Sequence, residues 1–445
     1  MILDREACEA ASLGEFDRLE SAVRSYSRKF DCVFAKARDA RIFDTSGRAY
    51  LDLLCGAGAL SYGHNNRHIK QAIVDYLEND GILSSLDLFT TAKLEFLRRF
   101  RETILAPREL DYRVQFCGPT GTDAVEAALK LARKATSRQG IIAFTKAYHG
   151  VSLGALATTA SAQHRAVAGV ALENVTRMPF DGFLGPNIDT VDVVEAMLAR
   201  GSGIDLPAAI LLETVQAEGG LHVASAGWLR RLEDLARRHG ILLIVDDVQV
   251  GCGRTGRFFS FERAGLKPDI VCLSKAIGGV GLPMAVTLIR PSLDVWEPGD
   301  HAGTFRGNNL AFVGATAALH YWELADFEQA LEARSRRIRA ALVDLLHRHR
   351  AHFAEVRGLG MIQGLACRSP DLARRIIRAA FANGLILESA GPKGEVLKLL
   401  PPLVISCPDL DEALSILAYA VEVSVAESAL AEHALSEGLI PDDLT

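Results

Sequence analysis

The middle of the chain alternates short aliphatic runs with segments in which apolar residues recur at helical spacing. Short continuous apolar runs are typical of strands that are buried on both faces of a mainly parallel sheet. The runs are Ile141–Thr145, Ala209–Glu213, Ile241–Asp246, Ile270–Ser274 and Met284–Ile289. Between them, Thr122–Ala135 and Trp228–His239 have helical periodicity, and Gly240 is placed as a helix C-cap. Strands that alternate with helices predict an α/β fold.

From about residue 326 the pattern predicts a smaller C-terminal α/β domain. Its predicted elements are a long amphipathic helix, a strand with a turn, a second helix and two strands. They cover Asp326–His352, Val356–Gly364, Asp371–Asn383, Leu385–Leu387 and Val396–Leu399. A chain of 445 residues is expected to form two or three domains, because one domain takes about 150 residues.

Composition and charge argue against several classes of protein. Hydrophobic residues make up 49% of the chain and charged residues 23%, as is usual for a globular protein. The net charge of −6 argues against a nucleic-acid-binding protein, which usually carries a basic surface. The charged start Met1–Glu6 argues against a signal peptide, and no apolar stretch reaches the roughly 20 residues of a membrane span. The 8 cysteines lack CxxC spacing, so we expect reduced thiols in a cytoplasmic protein.

Two of the predicted strands end in residues that suggest chemistry. One runs into Asp246 and Asp247, and the other is followed by Lys275 and a glycine-rich turn. Ligands of open α/β sheets bind at the carboxyl ends of the strands, and a buried carboxylate there needs a partner such as a protonated ring nitrogen. A desolvated lysine at the same edge can act as a nucleophilic amine. Either acid alone could instead cap a turn or bind a metal, and the lysine alone could lie on the surface.

Two further segments complete a recognisable set. Gly118–Ala124 (GPTGTDA) opens a predicted helix, whose free N–H groups can bind a phosphate. A simple N-cap by Thr122 or Asp123 also explains this segment, and the lysine of a P-loop is missing. Tyr148 follows a predicted strand and can stack on a planar ring or pack in the core. A phosphate loop, an aromatic platform, an acid and a lysine together predict a pyridoxal 5'-phosphate (PLP) enzyme.

At this point the chain resembles the class III aminotransferases of fold type I, over residues 21–425. Within that family it most resembles the diaminobutyrate–2-oxoglutarate aminotransferases of ectoine biosynthesis. The segments that carry the resemblance are Val23–Arg28, Gly56–Asn66, Val114–Thr122, Asn174–Gly182, Val245–Gly256 and Gly303–Asn309. The resemblance implies a large domain with a seven-stranded, mostly parallel sheet over residues 76–325. Residues 1–75 and 326–445 would form the smaller α/β domain, and the chain would be a homodimer or larger homo-oligomer with its active site at the subunit interface.

The family pattern also implies roles for individual residues. Lys275 would form the Schiff base with PLP and shuttle the proton, and Asp246 would keep the ring nitrogen protonated. Tyr148 would stack on the ring, and Gln249 would hydrogen-bond to its phenolic oxygen. Gly121, Thr122 and, from the neighbouring subunit, Thr304 would bind the phosphate.

Two positions depart from the wider family. Ala217 replaces a glycine in the glutamate motif, which matters only if that position requires a positive φ. Lys398 stands where many members have arginine, and its point charge grips a carboxylate less specifically than a guanidinium fork. Lysine here favours the diaminobutyrate subgroup over ornithine or acetylornithine enzymes. We expect Glu218 and Lys398 to form a gate that admits amino donors with and without an α-carboxylate near the ring.

The expected reaction is a ping-pong transfer between L-glutamate with 2-oxoglutarate and L-aspartate 4-semialdehyde with L-2,4-diaminobutyrate. The alternatives are a transaminase for another ω-amine such as 4-aminobutyrate, a PLP aminomutase or decarboxylase, and a catalytically silent protein. Diaminobutyrate could supply ectoine, siderophores or peptide antibiotics, and the sequence does not choose among these pathways.

Two other kinds of site are less well supported. Gly251–Gly256 matches GxGxxG, but Asp246 and Asp247 separate it from the strand and no helix pattern follows, so a dinucleotide-dependent oxidoreductase is a remote alternative. No metal site is expected. His64 and His68 lack the glutamate of HExxH, and the other close histidines lie in an arginine-rich helical stretch.

Overall fold

The computed structural model describes residues 13–436, and the side chains of residues 13–427. The charged start Met1–Glu6 and residues 437–445 lie outside this range. Beyond residue 20, the α-helices are α1 (Arg67–Glu78), α2 (Thr91–Phe100), α3 (Gly121–Thr136), α4 (Leu153–Thr158), α5 (Ala162–Ala166), α6 (Thr190–Leu198), α7 (Ala226–His239), α8 (Asn309–Leu319), α9 (Phe327–Arg348), α10 (Pro370–Ala382) and α11 (Cys407–Ser436).

The strands of the described range form four sheets. They are β1 (Phe34–Arg38), β2 (Arg41–Asp44), β3 (Ala49–Asp52), β4 (Arg113–Phe116), β5 (Ile141–Phe144), β6 (Val175–Met178), β7 (Ala209–Leu212), β8 (Val215–Gln216), β9 (His222–Val223), β10 (Leu242–Asp246), β11 (Ile270–Leu273), β12 (Val286–Ile289), β13 (Phe353–Leu359), β14 (Ile362–Cys367), β15 (Leu385–Ile386), β16 (Glu388–Ala390) and β17 (Val396–Leu399).

The largest sheet has seven strands in the order β4-β12-β11-β10-β7-β5-β6. Neighbours from β11 to β6 pair in parallel, whereas β12 is antiparallel to both β11 and β4. The predicted seven-stranded, mostly parallel sheet is therefore confirmed. The strand expected from Met284 begins at Val286, because its partner strand β11 ends opposite it at Leu273.

Strand β10 shows why this sheet lies in the middle of the molecule. Leu243 and Val245 join a hydrophobic cluster with Trp228 of α7. Leu242 and Ile244 face the other way and join a second cluster built on α3. Because helices cover both faces, the strand has apolar residues at successive positions instead of an alternating pattern.

The N-terminal and C-terminal parts of the chain pack together. Strand β15 pairs in parallel with β3, with Leu385 opposite Leu51. Leu51 and Leu385 also share a hydrophobic cluster with Leu331 and Leu342 of α9. This packing agrees with one smaller unit built from both ends of the chain, although the boundaries at residues 75 and 325 stay predictions.

Two details of the C-terminal part differ from the sequence expectation. The segment expected as one strand and a turn is a hairpin of β13 and β14. Helix α9 ends at Arg348, four residues before the predicted end at His352. The reason is that Phe353 is buried and pairs with Cys367 at the open end of that hairpin, so the chain must turn before it.

The described helices contain no stretch that is both long enough and apolar enough to span a bilayer. Likewise, the described residues contain no group of three or more histidine, cysteine and acidic side chains arranged to hold a metal ion. His64 instead bonds to Asp52, with 2.7 Å between Nε2 and Oδ2. His68 packs against the ring of His320, with 4.9 Å between the ring centroids.

One buried carboxyl group follows the central strand β7. Glu213 is 6% exposed, and its two oxygens accept hydrogen bonds from the backbone N–H groups of Tyr148 (2.9 Å) and Ala217 (3.3 Å). Burial raises the pKa of Glu213 to about 7, against the lowering effect of His149 and with a further rise from Asp246. The folded protein therefore binds a proton at Glu213 that the unfolded chain releases at lower pH.

The Glu213→Gln variant should alter how stability depends on pH. Because the folded pKa lies above the unfolded one, wild-type stability falls relative to the variant from about pH 4.5 to pH 7, and the difference is constant above pH 7. The full change should approach about 3 kcal/mol. Urea unfolding of both proteins at a fixed concentration across this range measures it. Asp247, whose pKa is also raised to about 7, is present in both proteins. Parallel pH curves would contradict the assignment to Glu213.

Candidate active site

The parallel pairing of β10 and β11 brings the predicted acid and lysine to the same edge of the sheet. Asp246, the last residue of β10, lies opposite Cys272, and Lys275 follows two residues after β11. Asp246 is 5% exposed. Its Oδ1 accepts a hydrogen bond from the Val248 N–H (3.0 Å), and its Oδ2 accepts one from His149 Nδ1 (2.7 Å). Asp246 is thus a buried carboxylate whose oxygens are held in place.

Lys275 has a backbone conformation that is unusual for lysine. Its φ is +53°, in the left-handed region that non-glycine residues rarely adopt. Burial lowers the pKa of its amine, as does the charge of Lys398, whereas Glu218 and Asp246 oppose this shift. The surroundings therefore favour the neutral, nucleophilic form of this amine.

The start of α3 has the properties of an anion site. The N-cap residue of α3 is Thr120, and not Thr122 or Asp123 as the alternative interpretation had it. The Thr120 N–H donates a hydrogen bond to the Asp123 carboxylate (3.2 Å). Within the described contacts, no acceptor takes the backbone N–H groups of Gly121 and Thr122. A side chain at Gly121 would collide with Val248, since its Cβ would lie 2.6 Å from Cγ1. The two free N–H groups at a helix start suit a phosphate.

Tyr148 and Gln249 lie on segments that follow β5 and β10. Tyr148 is partly buried, and its ring is edge-on to His164 with 5.7 Å between centroids. The Gln249 amide is buried and donates from Nε2 to the Ala57 carbonyl (2.9 Å), while its Oε1 lacks a partner among the described residues. An unpaired buried amide oxygen is uncommon and marks a place where a ligand atom can bind.

Lys398 lies at the centre of a buried ionic cluster. Its side chain is fully buried, and its Nζ lies 2.7 Å from Glu218 Oε1 and 3.0 Å from Glu388 Oε2. Burial works against ionisation of Glu218, but Lys398 and Lys275 outweigh it and lower the pKa of Glu218 to about 2. Burial likewise acts to lower the pKa of Lys398, and its two carboxylate neighbours raise it. The predicted Glu218–Lys398 pair is present, and the structure adds Glu388 to it.

The structure also shows the surroundings of three further segments that the sequence analysis singled out. Ala217 is buried and does not have a positive φ, so alanine fits this position without backbone strain. The GxGxxG segment Gly251–Gly256 forms turns that lead to a 3-10 helix at Ser260–Ala264, which is not a phosphate-binding strand–turn–helix. Thr304 is exposed in the segment before α8, and the described contacts do not join it to Lys275 or Asp246.

The residues of this site fit PLP. The donor set contains a lysine with a lowered pKa, a buried carboxylate, free N–H groups at a helix start and an unpaired amide oxygen. Sequence reasoning missed Glu388 and His149. Glu388 could have been noticed as a single acid within the apolar stretch Leu385–Ala390, and His149 as the neighbour of Tyr148.

Comparison with known proteins agrees with this site. The family model described as aminotransferase class-III matches residues 22–421. Relatives named diaminobutyrate–2-oxoglutarate transaminase are 51% identical over 411 residues in Halalkalibacterium halodurans and 53% over 406 residues in Sporosarcina pasteurii. The first match covers 92% of this chain and 96% of the relative, and the second covers 91% and 95%.

Solved structures show the same fold. The ornithine aminotransferase of Toxoplasma gondii superposes with a TM-score of 0.83 at 25% identity, covering 94% of this chain and 96% of that one. Another structure of that enzyme, with a TM-score of 0.81 at 25% identity over 93% of this chain and 94% of that one, is described with PLP at its active site. The chain therefore belongs to the class III aminotransferases, which use PLP.

Proposed function

We propose that this enzyme transfers an amino group between L-glutamate with 2-oxoglutarate and L-aspartate 4-semialdehyde with L-2,4-diaminobutyrate. The observation that carries the proposal is the ion pair between the buried Lys398 and the partly exposed Glu218, beside Lys275. Glutamate has a carboxylate on the carbon that bears the reacting amine, and the terminal amine of diaminobutyrate has none. A cation that a protein carboxylate can cover or uncover suits both substrates, and the relatives that share half of this sequence have this activity in their name.

PLP, when bound, supplies an aldehyde that accepts the amino group and a ring that withdraws electrons from the reacting carbon. The chain would provide everything else. Asp246, fixed by His149, would hold a proton on the ring nitrogen because a buried carboxylate favours a positive partner. Lys275, whose lowered pKa favours the neutral amine, would be the residue that holds the aldehyde carbon of the cofactor and would move a proton at the substrate carbon.

The remaining contacts would orient the ring and its phosphate. The free N–H groups of Gly121 and Thr122 bind the phosphate at the start of α3. Tyr148 would stack on the ring, and the Gln249 amide would hydrogen-bond to the phenolic oxygen. These roles follow the family pattern, and the positions of the strand ends agree with them.

A transaminase for another ω-amine is the second candidate. Its support is that Lys398 and Glu218 recognise only the groups next to the reacting amine and do not define the length of the substrate. An aminomutase would use the same cofactor residues but would need no 2-oxo acid.

The location we propose is the reducing cytoplasm. Its support is a set of buried thiols, which are Cys55, Cys117, Cys252, Cys272 and Cys367.

A half-reaction titration distinguishes these functions. L-glutamate and L-2,4-diaminobutyrate, each added to the PLP-loaded enzyme, should bleach the visible absorbance of the lysine-bound cofactor, and ornithine should have little effect. Bleaching must be matched by release of the corresponding 2-oxo acid or aldehyde. A response to 4-aminobutyrate but not to diaminobutyrate would retain the class and exclude the substrate. Isomerisation of an amine without any 2-oxo acid would identify an aminomutase.

The Lys275→Ala variant tests the proposed catalytic amine. Turnover should fall by at least about a thousandfold, because both the nucleophile and the proton carrier are removed. The matched control is Lys267→Ala, an exposed lysine before the other end of β11. Steady-state rates with glutamate and circular dichroism of both variants provide the measurement. A folded Lys275→Ala protein with normal turnover would exclude this assignment.

We also propose a homodimer in which Thr304 reaches the neighbouring active site. The support is a patch of large apolar side chains that are between 48% and 102% exposed. The apolar patch consists of Ile82, Leu83, Leu86, Leu88, Phe89 and Phe305. Backbone hydrogen bonds from Ser85 N to Gly307 O (3.3 Å) and from Asn309 N to Leu83 O (3.0 Å) tie it to the segment that carries Thr304. Apolar patches of this kind mark interaction surfaces.

The Phe89→Asp variant should weaken the dimer by about tenfold or more in dissociation constant, because it places a charge on the most exposed aromatic ring of the patch. Light scattering over a dilution series measures the association. Tyr419→Asp on α11, which changes an exposed ring outside the patch, is the control. If the partner supplies Thr304, PLP affinity should fall together with dimerisation. Unchanged association of the Phe89→Asp protein would contradict the proposed interface.

A further inference from the structure

Lys398 contacts two carboxylates, although a single one would neutralise it. Glu218 and Glu388 both lie within 3.0 Å of its Nζ, and the side chain of Lys398 has no exposed surface. The cluster therefore has one positive and two negative charges. A third carboxylate, brought by a substrate, would meet strong repulsion unless one of the two protein carboxylates moved away.

Glu388 is the carboxylate that is fixed in place. It begins β16 and lies directly opposite Lys398 in the antiparallel pairing with β17. Side chains at such opposite positions are close neighbours whose separation is set by the backbone. The Glu388 side chain is only 5% exposed, and burial together with the charge of Glu388 raises the pKa of the nearby Tyr26 phenol. The strand pairing and the burial therefore leave the Glu388 side chain little room to move.

Glu218 has the opposite character. It lies in the loop between β8 and β9, and its side chain is 26% exposed. Two glycines follow it, and Gly220 has a φ of +111°, a conformation that side-chain-bearing residues rarely adopt. Lys275 is a second basic neighbour that, together with Lys398, lowers the pKa of Glu218. Of the two carboxylates, Glu218 is therefore the one that can leave Lys398.

We propose that Glu388 is a positioning residue that permanently occupies one of the two carboxylate places on Lys398. An α-carboxylate on a substrate can then reach Lys398 only by displacing Glu218. Glu388 thereby disfavours amino donors with a carboxylate beside the reacting amine and favours donors with a terminal amine. This inference rests on the proposed function, because it assigns specificity to the same site.

The Glu388→Gln variant should change the choice between the two kinds of donor. Without the charge of Glu388, the α-carboxylate of glutamate can bind Lys398 while Glu218 remains in contact with Lys398. The KM for glutamate should fall by about fivefold to tenfold, the size expected when one repulsive charge is removed from a partly screened site. The kcat for glutamate and the KM for diaminobutyrate should each change by less than about twofold, since no substrate carboxylate approaches Lys398 in the second case.

The variants are compared in single half-reactions of the PLP-loaded enzyme, over a range of glutamate and diaminobutyrate concentrations. Glu388→Met, uncharged and of similar length, should reproduce the effect, and Glu388→Asp, which keeps the charge, should retain the wild-type ratio of KM values. The control Glu355→Gln removes an exposed carboxylate from β13 of the same sheet and should change neither KM. Circular dichroism checks that each variant is folded.

The outcomes separate this inference from the proposed function. A Glu388→Gln or Glu388→Met protein whose KM for glutamate rises, or whose two KM values change equally, would overturn the positioning role. Wild-type enzyme that ignores diaminobutyrate would refute the proposed substrate alone. In that case the same comparison with 4-aminobutyrate still tests Glu388, because that donor also lacks a carboxylate beside its amine.

Discussion

The parallel pairing of β5, β7, β10 and β11 is the constraint on which the site depends. Each strand is apolar along its length and buried between two hydrophobic clusters, so its register is fixed from both faces. All four strands end at the same edge, and the chain after each end supplies a polar group. Tyr148 follows β5, Glu213 follows β7, Asp246 ends β10 and Lys275 follows β11. A one-residue shift in any strand would turn its terminal side chain away from the others.

Burial at this edge decides the charge of each group. The pKa of Lys275 is lowered and that of Glu213 is raised because water is excluded, and both changes favour the neutral form. Glu218 is 26% exposed and has a lowered pKa, because Lys398 lies 2.7 Å away. The same surroundings thus shift one amine towards its neutral form and keep an ionised pair available for recognising carboxylates. Which form each group favours therefore depends on the charged partner that lies nearest to it.

The sequence was sufficient wherever the information is local. Strand β10 and its terminal Asp246 follow from one apolar run, and Gly240 ends α7 in the left-handed conformation expected of a C-cap. The partner of Lys398 could not be read in the same way. Glu388 is ten positions away along the chain and meets Lys398 only through the register of β16 on β17. The hairpin of β13 and β14 escaped prediction for the same reason, since it depends on pairing between strands and not on periodicity within one.

The site also depends on segments from both ends of the chain. Gln249, which follows the central strand β10, donates to the Ala57 carbonyl in the N-terminal part. Glu218, in the loop between β8 and β9, bonds to Lys398 through its side chain and accepts a hydrogen bond from the Gly391 N–H through its backbone oxygen. Removing either terminal segment would leave Gln249 or Glu218 without these partners, at the cost that buried polar groups incur when unpaired. The ionic cluster therefore exists only when the C-terminal sheet is packed against the central one, which makes substrate selection a property of the whole chain.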